Sequence, residues 1–314
     1  MSQIIKKTPI PIAGLMLAFA TTGNLIGSYG LIYKNTLGII SLLLFILITL
    51  KLMFHPKLVM DKMNNPLVAS VSPTYSMGAM LLSTYIKPYN LPLASLLWGS
   101  GLVLHVSLMF WFTHKFLFNF EIEKVFPSYF IVYVGLVMTS ITSPAFGYVK
   151  LGQSLFWFGF VSYLVLLPIV IYRLIKHPNL PTPTLPSIAI LAAPASLCLA
   201  GYMSSFEVRN SSVFLLLSFL SILMYFGVLS YMPKLLKLPF FPSFSAFTFP
   251  LAISGVAIKK ASSGLVELGL SQNLMQTLVH FQEGVTLCTI FYVLLKYIQC
   301  HYLQNNSAVL AEGK

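Results

Sequence analysis

Ten apolar runs, each about as long as a bilayer is thick, fill this 314-residue chain from residue 10 to residue 298. They fall near 10–29, 37–54, 67–86, 91–113, 127–147, 151–175, 185–205, 211–231, 242–258 and 274–298. A helix crossing the hydrocarbon core needs roughly 20 such residues, and within lipid its backbone N–H and C=O groups must pair internally. Ten helices leave no length for a folded domain outside the membrane. Composition agrees: 57% of the residues are hydrophobic, 8% are charged, and mean hydropathy is +0.84. A soluble domain carries about 25% charged residues. A soluble enzyme, a disordered chain and a nucleic-acid-binding domain are therefore excluded, despite a net charge of +12. The chain reads as one all-α polytopic transmembrane domain over residues 1–314. Lys6 and Lys7 imitate a signal peptide, but no small-x-small cleavage site precedes Asn24, so the first run reads as a retained helix.

Turn and charge signals separate the runs: Tyr33-Lys34-Asn35, His55-Pro56-Lys57, Lys87-Pro88-Tyr89-Asn90, Lys176-His177-Pro178-Asn179 and Pro233-Lys234. Pro144, Gly147, Lys150 and Gly152 divide the long stretch from 127 to 175. With both termini and alternate connections on one side, that side holds thirteen Lys and Arg (Lys51 and Lys314 among them) against six opposite. The positive-inside rule then puts both termini in the cytoplasm, as an even number of spans requires. The expected location is the plasma membrane.

A repeat underlies the runs. Pro11, Pro73, Pro127, Pro186 and Pro242 lie near the starts of the odd-numbered ones, at spacings of 62, 54, 59 and 56. Pro194 and Pro250 add interior prolines, whereas Pro168 is the one clear interior proline of an even-numbered run. Fixed-period similarity marks a repeated unit, here five helical hairpins near 10–54, 67–113, 127–175, 185–231 and 242–298. Proline removes a donor and displaces the carbonyl four residues back. In lipid, such a break survives only against protein or a water-filled cavity. The odd helices should thus face inward, around a central pore, and the even ones outward. Gly14, Gly23, Gly27, Gly78, Gly135, Gly201 and Gly255 fit an inner ring, by close approach or open volume. The alternative is that membrane helices tolerate Pro and Gly, and tight packing explains both.

Several segments resemble the tellurite-resistance/dicarboxylate transporter family, which includes bacterial tellurite-resistance protein A, fungal malate transporters and the slow anion channels of plant guard cells. They are Pro11-Ile12-Ala13-Gly14-Leu15, Asn65-Pro66, Phe126-Pro127-Ser128-Tyr129-Phe130, Ala192-Ala193-Pro194-Ala195-Ser196 with Gly201-Tyr202, and Phe244-Ser245-Ala246-Phe247-Thr248-Phe249-Pro250-Leu251-Ala252. The resemblance implies ten helices as five hairpins around a pore, a homotrimer with one pore per subunit, and a ninth-helix phenylalanine that plugs the pore. Phe249 stands at that position, and Gly14 where a missing side chain leaves space beside the ring. The sequence departs from the family in having Phe244-Ser245 in place of a tryptophan pair, a longer ninth-to-tenth connection, and Glu283.

The odd runs contain no Asp, Glu, Lys, Arg or His. A fixed charge within a span marks an ion path by default, so its absence argues against a tight side-chain site. Hydroxyl and backbone groups remain, such as Ser72, Thr74, Thr139, Ser140, Thr142, Ser196 and Thr248. The expected pore lining is Gly14, Pro73, Met77, Gly135, Thr139, Pro194, Ser196, Thr248 and Pro250, with Phe249 as the gate. Half-helix dipoles and freed carbonyls act in opposite senses, so anion preference comes from the resemblance alone. His280 and Glu283 share a face of the tenth helix. They are either a proton-coupling pair or an interfacial pair near the outer surface. His105 reads as a hydrogen-bonded packing residue. His55, His114, His177 and His301 read as headgroup-facing, and Lys51 and Lys296 as snorkelling from helix ends.

No HExxH, GxSxG or Walker loop and no paired intramembrane carboxylates occur. Neither an enzyme nor an ATP-driven pump is indicated, and no cofactor or metal is called for. Cys198, Cys288 and Cys300 lack any metal-ligand spacing. The leading expectation is a passive channel for small inorganic or carboxylate anions. Its rivals are a proton-coupled carrier for a dicarboxylate, sulfite or tellurite-type oxyanion, and a non-transporting membrane scaffold, which the inner glycines argue against.

Overall fold

A computed structural model describes residues 2–118 and 120–312, and the side chains of 3–118 and 120–300. Lys314 and the His301 side chain lie outside the described residues. Apart from two short helices, Ser2–Lys7 and Pro56–Lys62, ten helical segments carry the fold. In chain order they are α1 (Ile12–Tyr29), α2 (Leu31–Phe54), α3 (66–86), α4 (Leu91–Leu117), α5 (Tyr129–Phe146), α6 (Val149–Lys176), α7 (Thr182–Ser205), α8 (Ser211–Leu235), α9 (242–267) and α10 (Gln272–Glu312). No strand occurs among the described residues. Eight of the ten are long and apolar enough to cross a membrane; the other two are α3, which breaks between Pro66–Val71 and Thr74–Ile86, and α9, which carries Lys259 and Lys260.

Several boundaries differ from those expected. The first turn lies at Gly30, whose φ of +149° favours glycine, so Tyr33, Lys34 and Asn35 belong to α2. A second glycine turn, Gly147 at φ +80°, ends α5 and leaves Lys150 and Gly152 inside α6. Helix α8 runs through Pro233 to Leu235. The long connection expected after residue 258 is mostly helix, since Thr248–Glu267 is continuous and buries Ala261 and Leu265.

Two kinds of helix alternate. In the most apolar stretch of α1, α5 and α7, 78%, 67% and 83% of the residues are buried, against 28–33% in α2, α4, α6, α8 and α10. In α9 every residue from Thr248 to Ile258 is buried, and in α3 every residue from Ser76 to Ser83. The long helices bury one stripe each, as in α8: Phe214, Leu217, Ser218, Ser221, Tyr225, Val228, Met232 and Leu235. That is the spacing of one helix face. Their opposite faces are apolar and bare, with Leu43, Val103, Phe110 and Phe219 each more than 60% exposed. The buried segments touch in the order α1, α3, α5, α7, α9 and back to α1.

The buried segments are fractured. Helix α7 begins as an eleven-residue 3₁₀ stretch, Thr182–Ala192, and α9 as another, Pro242–Phe247. Side chains repair the breaks. Pro73 cannot donate to the Ala69 carbonyl, and Ser72 Oγ takes its place at 2.7 Å. Most inner glycines serve close approach: a Cβ on Gly201 would lie 2.5 Å from Val137 Cγ1, and one on Gly255 would lie 2.8 Å from Leu25 Cδ2.

Candidate functional site

All five buried segments border one small cavity, of about 50 Å³. Pro11, just before α1, and Gly14 of α1 line it, as do Val71, Thr74 and Met77 of α3 and Phe130, Val134 and Gly135 of α5. Helix α7 supplies Ser187, Ile190, Pro194 and Leu197, and α9 supplies Ser245, Phe249 and Pro250. A water needs roughly 10–15 Å³ of such space, so only a few would fit. Of the residues singled out in the sequence, Gly14, Met77, Gly135, Pro194, Phe249 and Pro250 come together here. Pro73, Thr139, Ser196 and Thr248 do not border the cavity.

Phe249 is 6% exposed, and its segment is braced on both sides. Thr248 Oγ1 donates to the Ser245 carbonyl at 2.7 Å and lies 3.3 Å from the Gly14 carbonyl, tying α9 to α1. Ser245 Oγ donates to Tyr297 Oη, which donates to the Pro242 carbonyl at 2.6 Å, tying the 3₁₀ stretch to α10. Gly14 permits the first contact, since a Cβ there would sit 3.2 Å from Ser245. The missing side chain thus admits the α9 backbone.

The hydroxyls expected to face the lumen are engaged in hydrogen bonds, although Thr74 borders the cavity. Ser72, Thr74, Ser140, Thr142, Ser196 and Thr248 each donate to a backbone carbonyl within 2.9 Å, and Thr139 lies 3.5 Å from Met80 Sδ. Ser196 also meets Ser221 and Ser254, away from the cavity. Donors bound in this way leave a wall of apolar side chains. Ser187, which follows the repeat proline Pro186, is the exception: its Oγ is buried without a partner among the described residues, and its residue borders the cavity.

His105 stands behind that wall. Its Nε2 lies 3.2 Å from the Val132 carbonyl and its Nδ1 lies 3.0 Å from Ser76 Oγ, so the ring joins α3, α4 and α5. Gly135 makes room for it, since a Cβ there would lie 2.8 Å from His105 Cε1.

His280 and Glu283 lie at the other end of the buried bundle and do not border the Phe249 cavity. Glu283 is 4% exposed. Its Oε1 accepts from Lys259 Nζ at 2.8 Å and its Oε2 from Tyr29 Oη at 2.6 Å, with His280 Nδ1 3.2 Å away. Lys259 Nζ also donates to the Leu25 carbonyl at 2.6 Å and Ser28 Oγ at 2.8 Å. Sequence reasoning paired Glu283 only with its neighbour in α10, because Lys259 lay in an assumed connection. A second cavity, of about 390 Å³, opens beside Lys259 between the C-terminal parts of α1, α3 and α9 and the end of α5.

Over residues 10–298 the sequence matches the voltage-dependent anion channel family of the SLAC1 type. The chain belongs to this family. An uncharacterized transporter of Methanocaldococcus jannaschii is 29% identical over 256 residues, 72% of this chain and 73% of the relative. As a member of the voltage-dependent anion channel family, the protein is a multi-pass membrane anion channel or transporter. The matched span takes in every residue that borders the Phe249 cavity, together with Lys259 and Glu283.

Proposed function

We propose that this protein conducts small anions passively, through a pore down the axis of α1, α3, α5, α7 and α9, and that Phe249 is its gate. In this reading all ten segments span the plasma membrane as five hairpins, with both termini cytoplasmic, and three copies assemble with one pore each. The observation that carries it is the convergence of all five bent segments on one narrow apolar cavity containing Phe249. A constriction of this kind stops ions by excluding water. Selectivity would rest on the cost of dehydrating the ion, since no charged side chain borders the cavity. The physiological ion would be an inorganic anion or a small carboxylate.

The test is Phe249→Ala in the full-length protein, purified and reconstituted into vesicles. Removing the ring should raise chloride and nitrate flux at least tenfold, while the elution volume on size exclusion stays unchanged. A folded Phe249→Ala protein with wild-type flux would refute the gate. A second reading, a proton-coupled carrier, draws on the buried Glu283 beside His280. It requires saturable transport of malate, sulfite or tellurite that follows a pH gradient and is lost in Glu283→Gln.

A further inference from the structure

The second cavity carries lysines on its wall. It is bounded by Asn24 and Leu25, Leu81 and Thr84, Ile141 to Ala145, and Val256 to Lys260. These lie on four of the five segments that border the Phe249 cavity. In α1 the two linings are about eleven residues apart, roughly 16 Å along a helix axis. Among the described residues, Lys259 and Lys260 are its only charged lining residues, and their situations differ. The Lys259 ammonium has three acceptors, one of them the Glu283 carboxylate, so its charge is balanced. Lys260 is exposed and has no hydrogen-bond or ion-pair partner among the described residues. Lys87 adds to the same sign nearby, since its ammonium donates to the Ala145 carbonyl on the cavity rim.

Resting on the channel reading above, we propose that this cavity is an anion-loading vestibule in which Lys260 attracts the ion and Glu283 acts as a positioning residue, fixing Lys259 and cancelling its charge. A lined concavity of one sign focuses field lines and raises the local concentration of counter-ions. A balanced Lys259 would keep the mouth attractive without holding an anion tightly enough to block passage.

The experiment uses the full-length Phe249→Ala protein in vesicles, with chloride as the probe, so that the gate does not limit flux. Adding Lys260→Gln should lower chloride flux about threefold at roughly 10 mM salt and have almost no effect near 1 M, where charges are screened within about 3 Å. Lys260→Arg should restore the low-salt rate. Glu283→Gln should change flux in the opposite sense, raising it at low salt as Lys259 becomes an unbalanced charge. An unchanged low-salt rate in Lys260→Gln, or a loss that persists at high salt, would overturn the assignment while leaving the channel standing. If Phe249→Ala vesicles pass no chloride at all, the channel reading itself falls and this inference goes with it.

Discussion

At the scale of single residues, local context decided what could be read in advance. Phe249 stood out from 25 phenylalanines because Thr248 and Pro250 flank it in a motif resembling that of a known family. The hydroxyls bond to backbone for a general reason. A serine or threonine next to a helix break is the nearest donor for the carbonyl that the break frees, so Ser72 and Thr74 turn inward on their own backbone. Ser187 also sits beside a break, directly after Pro186, yet its Oγ has no partner among the described residues, which the sequence does not reveal. Gly135 provides a test at this scale. A methyl group there would lie 2.8 Å from His105 Cε1 and 2.9 Å from Met77 Sδ. Met77 can give way, but the imidazole is pinned between Ser76 and Val132, so its close contact stays. Gly135→Ala should destabilise the protein by about 1–3 kcal/mol through overpacking, read as an earlier loss of the monodisperse peak on heating in detergent. His105→Ala in the same chain should recover part of the loss.

Among elements, type was more legible than ends. The apolar runs and the proline period anticipated which segments would be buried and broken, because a broken helix cannot face lipid. The ends shifted where glycine rather than charge makes the turn: Lys34 lies within α2, and Lys259 and Lys260 lie within α9. A charge near a membrane surface is no helix stop, since a long lysine can reach out of the apolar zone. Lys51 illustrates the opposite error. It was expected to snorkel, yet it is 2% exposed, and its ammonium donates to the carbonyls of Lys6, at 2.8 Å, and Thr8. It thereby satisfies the C-terminal end of the Ser2–Lys7 helix. Lys51→Met should release that helix at a cost of about 1.5–3 kcal/mol, the range for a hydrogen bond to a charged group. Limited proteolysis should then cut near residues 6–8 faster than in the unchanged protein, with the helical bundle left intact.

For the molecule as a whole, the question is whether it conducts or carries. A carrier must bind its coupling ion where the two faces of the protein alternate, near the middle of the transport path. Among the described residues no titratable side chain borders the Phe249 cavity, and the contacts run from α1 through α3, α5, α7 and α9 back to α1. Glu283, the buried acid of the carrier reading, lies away from that cavity, with one oxygen on Lys259 and the other on Tyr29. Protonating it would break an ion pair and a hydrogen bond that join α1, α9 and α10 through residues that do not border the Phe249 cavity. Transport should therefore follow the electrochemical gradient of the anion and ignore that of the proton. In vesicles with membrane potential clamped at zero and equal chloride on both sides, a pH gradient of two units should drive no net chloride or malate accumulation, in the wild type or in Glu283→Gln. Accumulation against the anion gradient that disappears in Glu283→Gln would establish coupling and make the α10 carboxylate the centre of the mechanism in place of the α9 phenylalanine.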